Sequence, residues 1–213
     1  MNHDLNEMRK SYEKYTLNEE DAGSDPIVFF KVWFQLALDE KEEEPNAMLL
    51  STVSPEGQPS ARVVLLKEIK DGDFVFFTNY DSRKGKDLEN NPKASLTFFW
   101  ASQERQIRIE GSVSKVSKQS SLEYFAKRPR ISQLGALASL QSSVVPNRQY
   151  LEDQFTNIEK KYEGKDVPMP ETWGGYALNP TRIEFWQGRQ GRLHDRIEFS
   201  KKGNDWTRCR LSP

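Results

Sequence analysis

Between residues 47 and 115 the chain carries a series of short segments with the composition of β-strands. In order they read AMLLSTV, ARVVLLKEI, DFVFFTN, ASLTFFWAS and RQIRIEGSVSKV. β-Branched and aromatic residues are frequent in these segments, and turn sequences such as Pro55-Glu56-Gly57 lie between them. Strands that follow one another so closely predict an antiparallel barrel rather than a doubly wound parallel sheet.

Helical segments precede and interrupt the strands. Asp25 and Pro26 supply an N-cap and a first-turn proline for a helix whose apolar face includes Phe30 and Trp33. Pro129 separates two of the later helices. A further helix is predicted to begin within 80–84 and to end at 90–92. Three more are predicted at about 117–127, 130–140 and 147–162.

Strand-like segments return after Trp173, as GYALNPTRIEFWQG, RLHDRIEFS and WTRCRL. Residues 1–24 are polar and charged, and they predict a frayed lead-in or a short helix. The order of helix, strands, helices and strands predicts a single α+β (mainly β) domain at 25–213, built around a small barrel with peripheral helices.

The composition excludes several classes of protein. A formal net charge of -1 gives no broad basic field for nucleic acid. One cysteine, Cys209, cannot form an internal disulfide, and two histidines, His3 and His194, cannot form a multi-histidine metal site. No signal-peptide core and no apolar run of membrane-spanning length is present. We therefore expect a cytoplasmic protein with no metal, no membrane segment and no nucleic-acid partner.

Standard catalytic motifs are absent from the sequence. It contains neither GxGxxG nor GxxxxGK(S/T), so neither glycine-rich phosphate loop is present. It also lacks the GxSxG elbow of serine hydrolases. The candidate functional residues are therefore cations that lie among apolar and polar neighbours.

Arg62 and Lys67 bracket the apolar run Val63-Val64-Leu65-Leu66. Such cations are rarely buried unless they are paired. Because they are five residues apart, strict strand alternation places them on opposite faces. One site can use both only through a bulge, a backbone contact or a second subunit, and two strand ends that reach solvent explain the pattern equally well.

Ser82, Arg83 and Lys84 lie where a helix is predicted to begin. Free backbone N–H groups and two cations at such a position suit a phosphate. Cations at a helix N-terminus oppose the helix dipole, which an anionic partner would explain. The alternative is a solvated basic turn.

Tyr124, Arg128 and Ser132 are spaced four apart. On a continuous helix they would share one face, although Pro129 bends the path. Two hydroxyls and a guanidinium form a second plausible phosphate cradle. The alternative is a helix exit with an arginine near its C-terminus.

The segment at 187–196 reads QGRQGRLHDR and follows Trp186. As a strand, it would direct Arg192, His194 and Arg196 to one face and Leu193 to the other. Three such groups repel one another unless an anion or solvent separates them. The segment therefore predicts a ligand site that Trp186 covers, with a solvated strand face as the alternative.

Three neutral polar residues are weaker candidates. Gln106 could contact the polar edge of a ring from its strand. Gln141 and Ser142 lie in a small polar loop that follows a predicted helix.

Taken together, these segments resemble the pyridoxine/pyridoxamine 5′-phosphate oxidases. The matching segments run in the family's order and cover most of 47–213. They are RVVLLK (62–67), FFTNYDSRKG (76–85), ERQIRIEG (104–111), YFAKRPRISQLGA (124–136), LQSS (140–143), WGGY (173–176), IEFWQG (183–188), RLHDR (192–196) and RLSP (210–213). The sequence departs mildly at 189–191, where RQG carries an extra cation, and the lead-in before residue 25 matches little.

The resemblance implies a homodimeric split β-barrel with FMN at the subunit interface. It implies FMN contacts from Arg62, Val63, Val64, Leu65, Leu66, Lys67, Phe77, Thr78, Arg83, Lys84, Gln106, Gln141, Ser142, Trp186 and Arg196. It implies substrate contacts from Lys67, Tyr124, Arg128, Ser132, Arg192, Leu193 and His194. Within that set, Lys67, Tyr124, Arg128 and Ser132 would hold the substrate phosphate.

The resemblance also implies an activity. Pyridoxamine 5′-phosphate and pyridoxine 5′-phosphate would be oxidised to pyridoxal 5′-phosphate, with O2 as acceptor and H2O2 as product. Arg192 and His194 would be the catalytic pair that positions the ring and its reacting substituent. The alternatives are another split-barrel flavin reductase, including an F420-type oxidoreductase, and a non-catalytic protein that binds FMN or pyridoxal phosphate.

Overall fold

The computed structural model describes residues 4–8 and 10–213, with the backbone alone at Leu5. Residues 1–3 and 9, and with them His3 and part of the lead-in, lie outside the described residues. The described strands are β1 (Ala47–Val53), β2 (Pro59–Leu65), β3 (Glu68–Lys70), β4 (Asp73–Asn79), β5 (Lys93–Trp100), β6 (Arg105–Lys115), β7 (Trp173–Gln187), β8 (Asp195–Lys202) and β9 (Asp205–Arg210). The described α-helices are α1 (Glu19–Ala22), α2 (Pro26–Asp39), α3 (Arg83–Asn90), α4 (Lys118–Lys127), α5 (Arg130–Ala138) and α6 (Arg148–Lys161).

The strands belong to one sheet. Neighbouring strands in the sheet follow the order β2-β1-β5-β6-β7-β4-β3, and β8 pairs with both β7 and β9. Strand β7 pairs antiparallel with β4 through its first half and with β8 through its second half. The pairs β3–β4 and β8–β9 are antiparallel as well. The predicted antiparallel arrangement is confirmed for these pairs.

The chain divides into two compact units, each formed from separated segments. The first unit contains Met1–Leu49, Ser95–Glu110 and Pro180–Pro213. The second unit contains Leu50–Ala94 and Gly111–Asn179. None of the helices that the structure describes is both long and apolar enough to cross a membrane.

Helix α2 supplies much of the core of the first unit. The Asp25 carboxylate accepts the N–H groups of Ile27 (2.7 Å) and Val28 (3.3 Å), which confirms the predicted N-cap. Phe30 and Trp33 are buried, as the helical spacing predicts. The ring centroids of Trp33 and Phe185 lie 5.2 Å apart, so the helix packs on the second half of β7.

The helices of the second unit follow the predicted bounds closely. The predicted helices at 117–127, 130–140 and 147–162 correspond to α4, α5 and α6, and Pro129 lies between the first two. A buried cluster beneath them contains Phe125, Leu134, Val167 and Trp173. Helix α3 begins after Ser82, whose hydroxyl accepts the Gly85 N–H at 3.3 Å.

Two predicted strands are wrong in part. The segment ARVVLLKEI forms two strands, because β2 ends at Leu65 and the Lys67 N–H donates across to the Val75 carbonyl oxygen at 2.9 Å. The segment RLHDR does not begin as a strand. Gly191 (φ 63°) and Arg192 (φ 62°) turn the chain through the left-handed region, so β8 begins only at Asp195. The predicted common strand face of Arg192, His194 and Arg196 therefore does not form.

Candidate active site

A cavity of about 840 Å³ in the second unit collects most of the predicted cofactor and phosphate residues. Strands β2 and β4, the start of α3 and helices α4 and α5 supply its walls. The predicted residues that line it are Arg62, Val63, Val64, Leu65, Lys67, Phe77, Thr78, Lys84, Tyr124, Arg128, Ser132 and Gln141. Leu66 is buried with 7% of its surface exposed and is absent from this lining.

The end of β2 explains how Arg62 and Lys67 reach one site within a single chain. Regular alternation predicts opposite faces for them, and that prediction is wrong here because the strand stops between them. Both side chains line the 840 Å³ cavity.

The Arg62 guanidinium is oriented chiefly by neutral oxygen atoms. Nη1 donates to Thr52 Oγ1 at 2.7 Å, and Nη2 donates to Ser60 Oγ at 2.6 Å. The Asp87 carboxylate lies at the 4.0 Å limit of an ion pair. Burial lowers the pKa of Arg62, and Asp87 opposes that shift. The side chain is therefore fixed in place with only one weak anionic neighbour.

Lys84 is a buried cation whose hydrogen bonds go to neutral groups. Its Nζ donates to Gln141 Oε1 at 2.7 Å, to Thr78 Oγ1 at 3.0 Å and to Ser82 Oγ at 3.3 Å. Burial, with a smaller contribution from the Arg62 charge, lowers its pKa to about 8. A buried ammonium without a carboxylate partner is costly, and an anionic ligand would lower that cost.

Two other predicted FMN-contact residues lie beside this cavity rather than in it. Arg83 and Ser142 line a neighbouring cavity of about 490 Å³, also in the second unit. Gln141 lines both cavities. Ser142 has a φ of 71°, so the loop after α5 turns through the left-handed region at this point.

Three aromatic rings form one wall of the 840 Å³ cavity. Phe77 stacks on Tyr124 with ring centroids 4.0 Å apart, and it lies 5.4 Å from the parallel ring of Trp173. The Arg128 guanidinium carbon lies 4.8 Å from the Trp173 ring centroid. Flat side chains stacked in this way can pack against a flat heterocycle.

The residues of the second predicted phosphate cradle lie around the break between α4 and α5 and face the same cavity. Tyr124 lies on α4, Arg128 follows its last residue, and Ser132 lies in the first turn of α5. The three residues therefore line one cavity although they do not share a continuous helix. Arg128 Nη1 is buried and has no hydrogen-bond partner among the described residues.

The charges of this cavity define the ligand that fits it. Its cationic lining residues are Arg62, Lys67, Lys84, Lys127 and Arg128. No Asp or Glu is among the described residues that line it. Among these cations Lys84 is buried without a carboxylate partner, and Arg128 Nη1 is buried without a hydrogen-bond partner among the described residues, so both favour anionic oxygen atoms. The lining therefore fits phosphate groups carried by flat ring systems, as in FMN and pyridoxine phosphates.

The remaining predicted residues lie in the first unit. Trp186 and Arg196 are direct partners in the β7–β8 register, so their side chains share one face of the sheet. The Glu184 carboxylate accepts two hydrogen bonds of 3.0 Å from Arg196, and the Ser212 carbonyl oxygen accepts a third at 2.8 Å. Gln106 lies on β6 and is half-buried.

The loop between β7 and β8 holds His194 in a defined orientation. The Arg189 backbone N–H donates to His194 Nδ1 at 3.1 Å, so a neutral ring carries its proton on Nε2. The ring lies 4.6 Å from that of Trp186. Burial, followed by the Arg192 charge, lowers the pKa of His194, while Asp195 opposes the shift. The side chain of Leu193 is exposed.

Sequence reasoning missed several residues that line cavities in the two units. Tyr12 and Arg189 join Arg192 and His194 in lining a cavity of about 450 Å³ in the first unit. In the second unit, Trp173 and Lys127 line the 840 Å³ cavity. The signal for Tyr12 was its aromatic ring in a polar lead-in, whereas Trp173 lay within the matched WGGY segment.

Comparisons with known proteins agree with this geometry. Residues 35–162 match the family described as pyridoxamine 5′-phosphate oxidase, and residues 173–213 match the pyridoxine 5′-phosphate oxidase C-terminal dimerisation region. A pyridoxine/pyridoxamine 5′-phosphate oxidase of Leptospira biflexa is 58% identical over 210 residues, 99% of each chain. One from Christiangramia forsetii is 53% identical over 214 residues and the full length of both chains.

Solved structures show the same fold. PhzG from Burkholderia lata, in complex with tetrahydrophenazine-1-carboxylic acid, superposes with a TM-score of 0.88 at 30% identity, over 96% of this chain and 100% of that one. A pyridoxamine 5′-phosphate oxidase-related, FMN-binding protein from Nostoc punctiforme has a TM-score of 0.68 at 14% identity, over 86% of this chain and 96% of that one.

The fold and the cation-lined cavity place this chain among the split β-barrel proteins, as the sequence predicts. Full-length identity of this kind then fixes the family: the chain belongs to the pyridoxamine 5′-phosphate oxidases.

Proposed function

We propose that the chain is an FMN-dependent oxidase that converts pyridoxamine 5′-phosphate and pyridoxine 5′-phosphate to pyridoxal 5′-phosphate. The observation that carries the proposal is the 840 Å³ cavity, where five cations, of which Lys84 is buried, and an aromatic wall occur without a carboxylate in the described lining. Full-length relatives bearing this activity in their names support it. The expected compartment is the cytoplasm.

FMN would supply the two-electron oxidation of the substrate carbon, with O2 as the final acceptor and H2O2 as its product. With the amine substrate, water then replaces nitrogen, which leaves as ammonia. The protein binds and orients the reactants. Lys84 and Arg62 would hold the FMN phosphate. The substrate phosphate would be held by Lys67, Tyr124, Arg128 and Ser132.

Arg192 and His194 would position the pyridine ring and its reacting substituent. A neutral His194 with Nδ1 occupied by the Arg189 N–H has its Nε2 proton available to donate to the substrate. Orientation and modest proton management are all that we assign to this pair. Trp186 and Arg196 share a sheet face, as cofactor contacts from one side require.

The match to a dimerisation region at 173–213 supports a homodimer. We place FMN at the subunit interface, where residues of two copies can contribute to one site. Mixing Arg128→Ala and Arg192→Ala subunits tests this arrangement. If each site uses residues of both copies, the mixed dimer regains activity that neither parent possesses. Activity that stays at the parental level would contradict it.

The activity is tested by an absorbance spectrum of the purified protein, repeated without oxygen after pyridoxamine 5′-phosphate is added. We expect flavin bands that bleach, and that return with air as pyridoxal 5′-phosphate forms. Flavin bands that stay unbleached would indicate another flavoprotein or a carrier. Equal activity with unphosphorylated pyridoxine would favour a different split-barrel reductase.

A further inference from the structure

Glu104 precedes β6 in the first unit, and only 2% of its surface is exposed. Its carboxylate accepts two backbone N–H groups of the N-terminal segment: Oε2 lies 2.8 Å from the Glu13 nitrogen and 3.1 Å from the Lys14 nitrogen. The Lys10 ammonium lies 3.9 Å from Oε1. Hydrogen bonds to a buried carboxylate are stronger than those between neutral groups, so this residue anchors the segment.

The backbone of Glu104 holds a second part of the unit. Its carbonyl oxygen accepts the Gly188 N–H at 2.8 Å and the Gln187 Nε2–H at 3.2 Å. Its φ is 57°, a left-handed conformation that a residue with a side chain adopts only at a cost. One strained residue therefore binds both the N-terminal segment and the start of the loop that carries His194.

These two parts are the walls of the 450 Å³ cavity. Tyr12 lies on one wall, and Arg192 and His194 lie on the other. The Tyr12 ring centroid is 5.7 Å from that of Trp186 and 6.0 Å from that of His194. The packing is tight, because a Cβ atom added at Gly188 would lie 2.7 Å from Tyr12 Cβ and Cγ.

We propose that Glu104 is a positioning residue for the substrate. By fixing the N-terminal segment to the loop at 187–194, it keeps Tyr12 packed against Trp186 and His194 and so keeps this part of the substrate site closed. The proposal rests on the proposed function, because it assumes that Arg192 and His194 contact the substrate. Glu104 takes no part in bond making or breaking.

The test compares Glu104→Ala and Glu104→Gln in the full, FMN-loaded chain. Trypsin cleaves after lysine, so the rate of cleavage after Lys10 and Lys14 reports on the anchor. We expect at least tenfold faster cleavage in Glu104→Ala. We also expect at least a tenfold increase in KM for pyridoxamine 5′-phosphate, with kcat within threefold and FMN affinity unchanged. Glu104→Gln keeps an acceptor oxygen, so its cleavage rate and its KM should lie between those of the wild type and those of Glu104→Ala.

Two further variants separate positioning from general destabilisation. Glu42→Ala removes a carboxylate that accepts the Ser102 N–H (3.2 Å) in the same turn, and we expect it to change neither cleavage nor KM. Gly188→Ala leaves Glu104 intact but displaces Tyr12, so it should raise KM as Glu104→Ala does. It also keeps the proposal testable if Glu104→Ala fails to fold.

Cleavage at the wild-type rate in both Glu104 variants would overturn the anchor. Faster cleavage with an unchanged KM would overturn the role in substrate binding. An equal rise of KM in Glu42→Ala would show that KM depends only on the stability of the turn that contains Ser102 and Glu104. That result would also overturn the proposed role of Glu104. If the wild-type chain oxidises no pyridoxamine 5′-phosphate, the proposed function fails, while the cleavage rates still decide whether Glu104 is the anchor.

Discussion

Replacing Lys84 by methionine should remove the fall in FMN affinity between pH 7 and 9. The ammonium is 9% exposed and donates only to neutral oxygen atoms, and burial lowers its pKa from 10.5 to about 8. This shift in pKa means that folding without ligand disfavours the charged form of Lys84, relative to the neutral form, by ~3 kcal/mol. A phosphate dianion restores the favoured charge, so binding requires the protonated form.

The magnitude follows from this pKa. Near pH 7 Lys84 is protonated and the phosphate, which titrates near pH 6, is mostly a dianion, so FMN should bind most tightly there. Below pH 6 protonation of the phosphate should weaken binding as well. Above pH 8 affinity should fall, by roughly tenfold at pH 9 relative to pH 7. Lys84→Met should bind FMN roughly 10- to 100-fold more weakly at pH 7, from a lost charged hydrogen bond of about 1.5–3 kcal/mol. Quenching of flavin fluorescence on titration of the apoprotein measures all of these quantities.

The stability of the apoprotein should change with pH in the opposite direction. Because the folded pKa of Lys84 lies below its unfolded value of 10.5, stability should rise as pH increases from about 8 toward 10.5. Lys86→Met is the matched control, since Lys86 lies exposed on the same helix. A wild-type dissociation constant that stays flat between pH 7 and 9 would refute the reasoning. So would a Lys84→Met variant that keeps the wild-type slope.

Three other predictions concern the phosphate cradle, a close backbone approach and the histidine. Arg128→Ala should raise KM for pyridoxamine 5′-phosphate roughly 100-fold in steady-state assays, because a charged hydrogen bond contributes about 1.5–3 kcal/mol, and should leave FMN affinity within twofold. Gly85→Ala should prevent stable folding, as judged by thermal melting, because its Cβ would lie 1.9 Å from a backbone carbonyl oxygen. Gly135→Ala, with no heavy atom within 4 Å of its Cβ, should instead stabilise α5 by about 1 kcal/mol. The NMR titration of His194 should have its midpoint below 6.5, and Arg192→Ala should raise it, because the Arg192 charge contributes to the lowered pKa.

Much of the fold could be predicted from residues that are close together in the sequence. The cap at Asp25 and the break at Pro129 depend on neighbouring residues alone, and the structure has helices at both places. The end of β2 was missed because the apolar run continues past it. What stops the strand is the bond from the Lys67 N–H to Val75, which depends on where the next strand returns. The prediction of one domain at 25–213 stays a prediction.

The site was predicted best where its residues lie close in sequence. Tyr124, Arg128 and Ser132 were predicted together from their spacing, and they line one cavity although Arg128 is extended at the break between α4 and α5. The loop before β8 was missed because the alternation in RLHDR fits a strand, while positive φ values at Gly191 and Arg192 break it. No sequence pattern could show such a turn at a residue with a side chain.

The presence or absence of a carboxylate partner indicates which cations can bind an anionic ligand. In the first unit Arg196 is satisfied by Glu184, and Arg189 lies 2.9 Å from an Asp195 oxygen. In the second unit Lys84 donates to neutral groups, and Arg128 Nη1 has no partner among the described residues. A cation that is already neutralised needs no anion from outside, whereas an unpaired buried one that lines a cavity can bind one. Arg105 of the first unit is buried and donates to Gln187 and Gln103, but it lines none of the cavities described above. We therefore expect the phosphate groups to bind residues of the second unit. We assign the first unit's loop to the pyridine ring and its reacting substituent, so a pH-dependent loss of FMN should trace to Lys84 and not to Arg196.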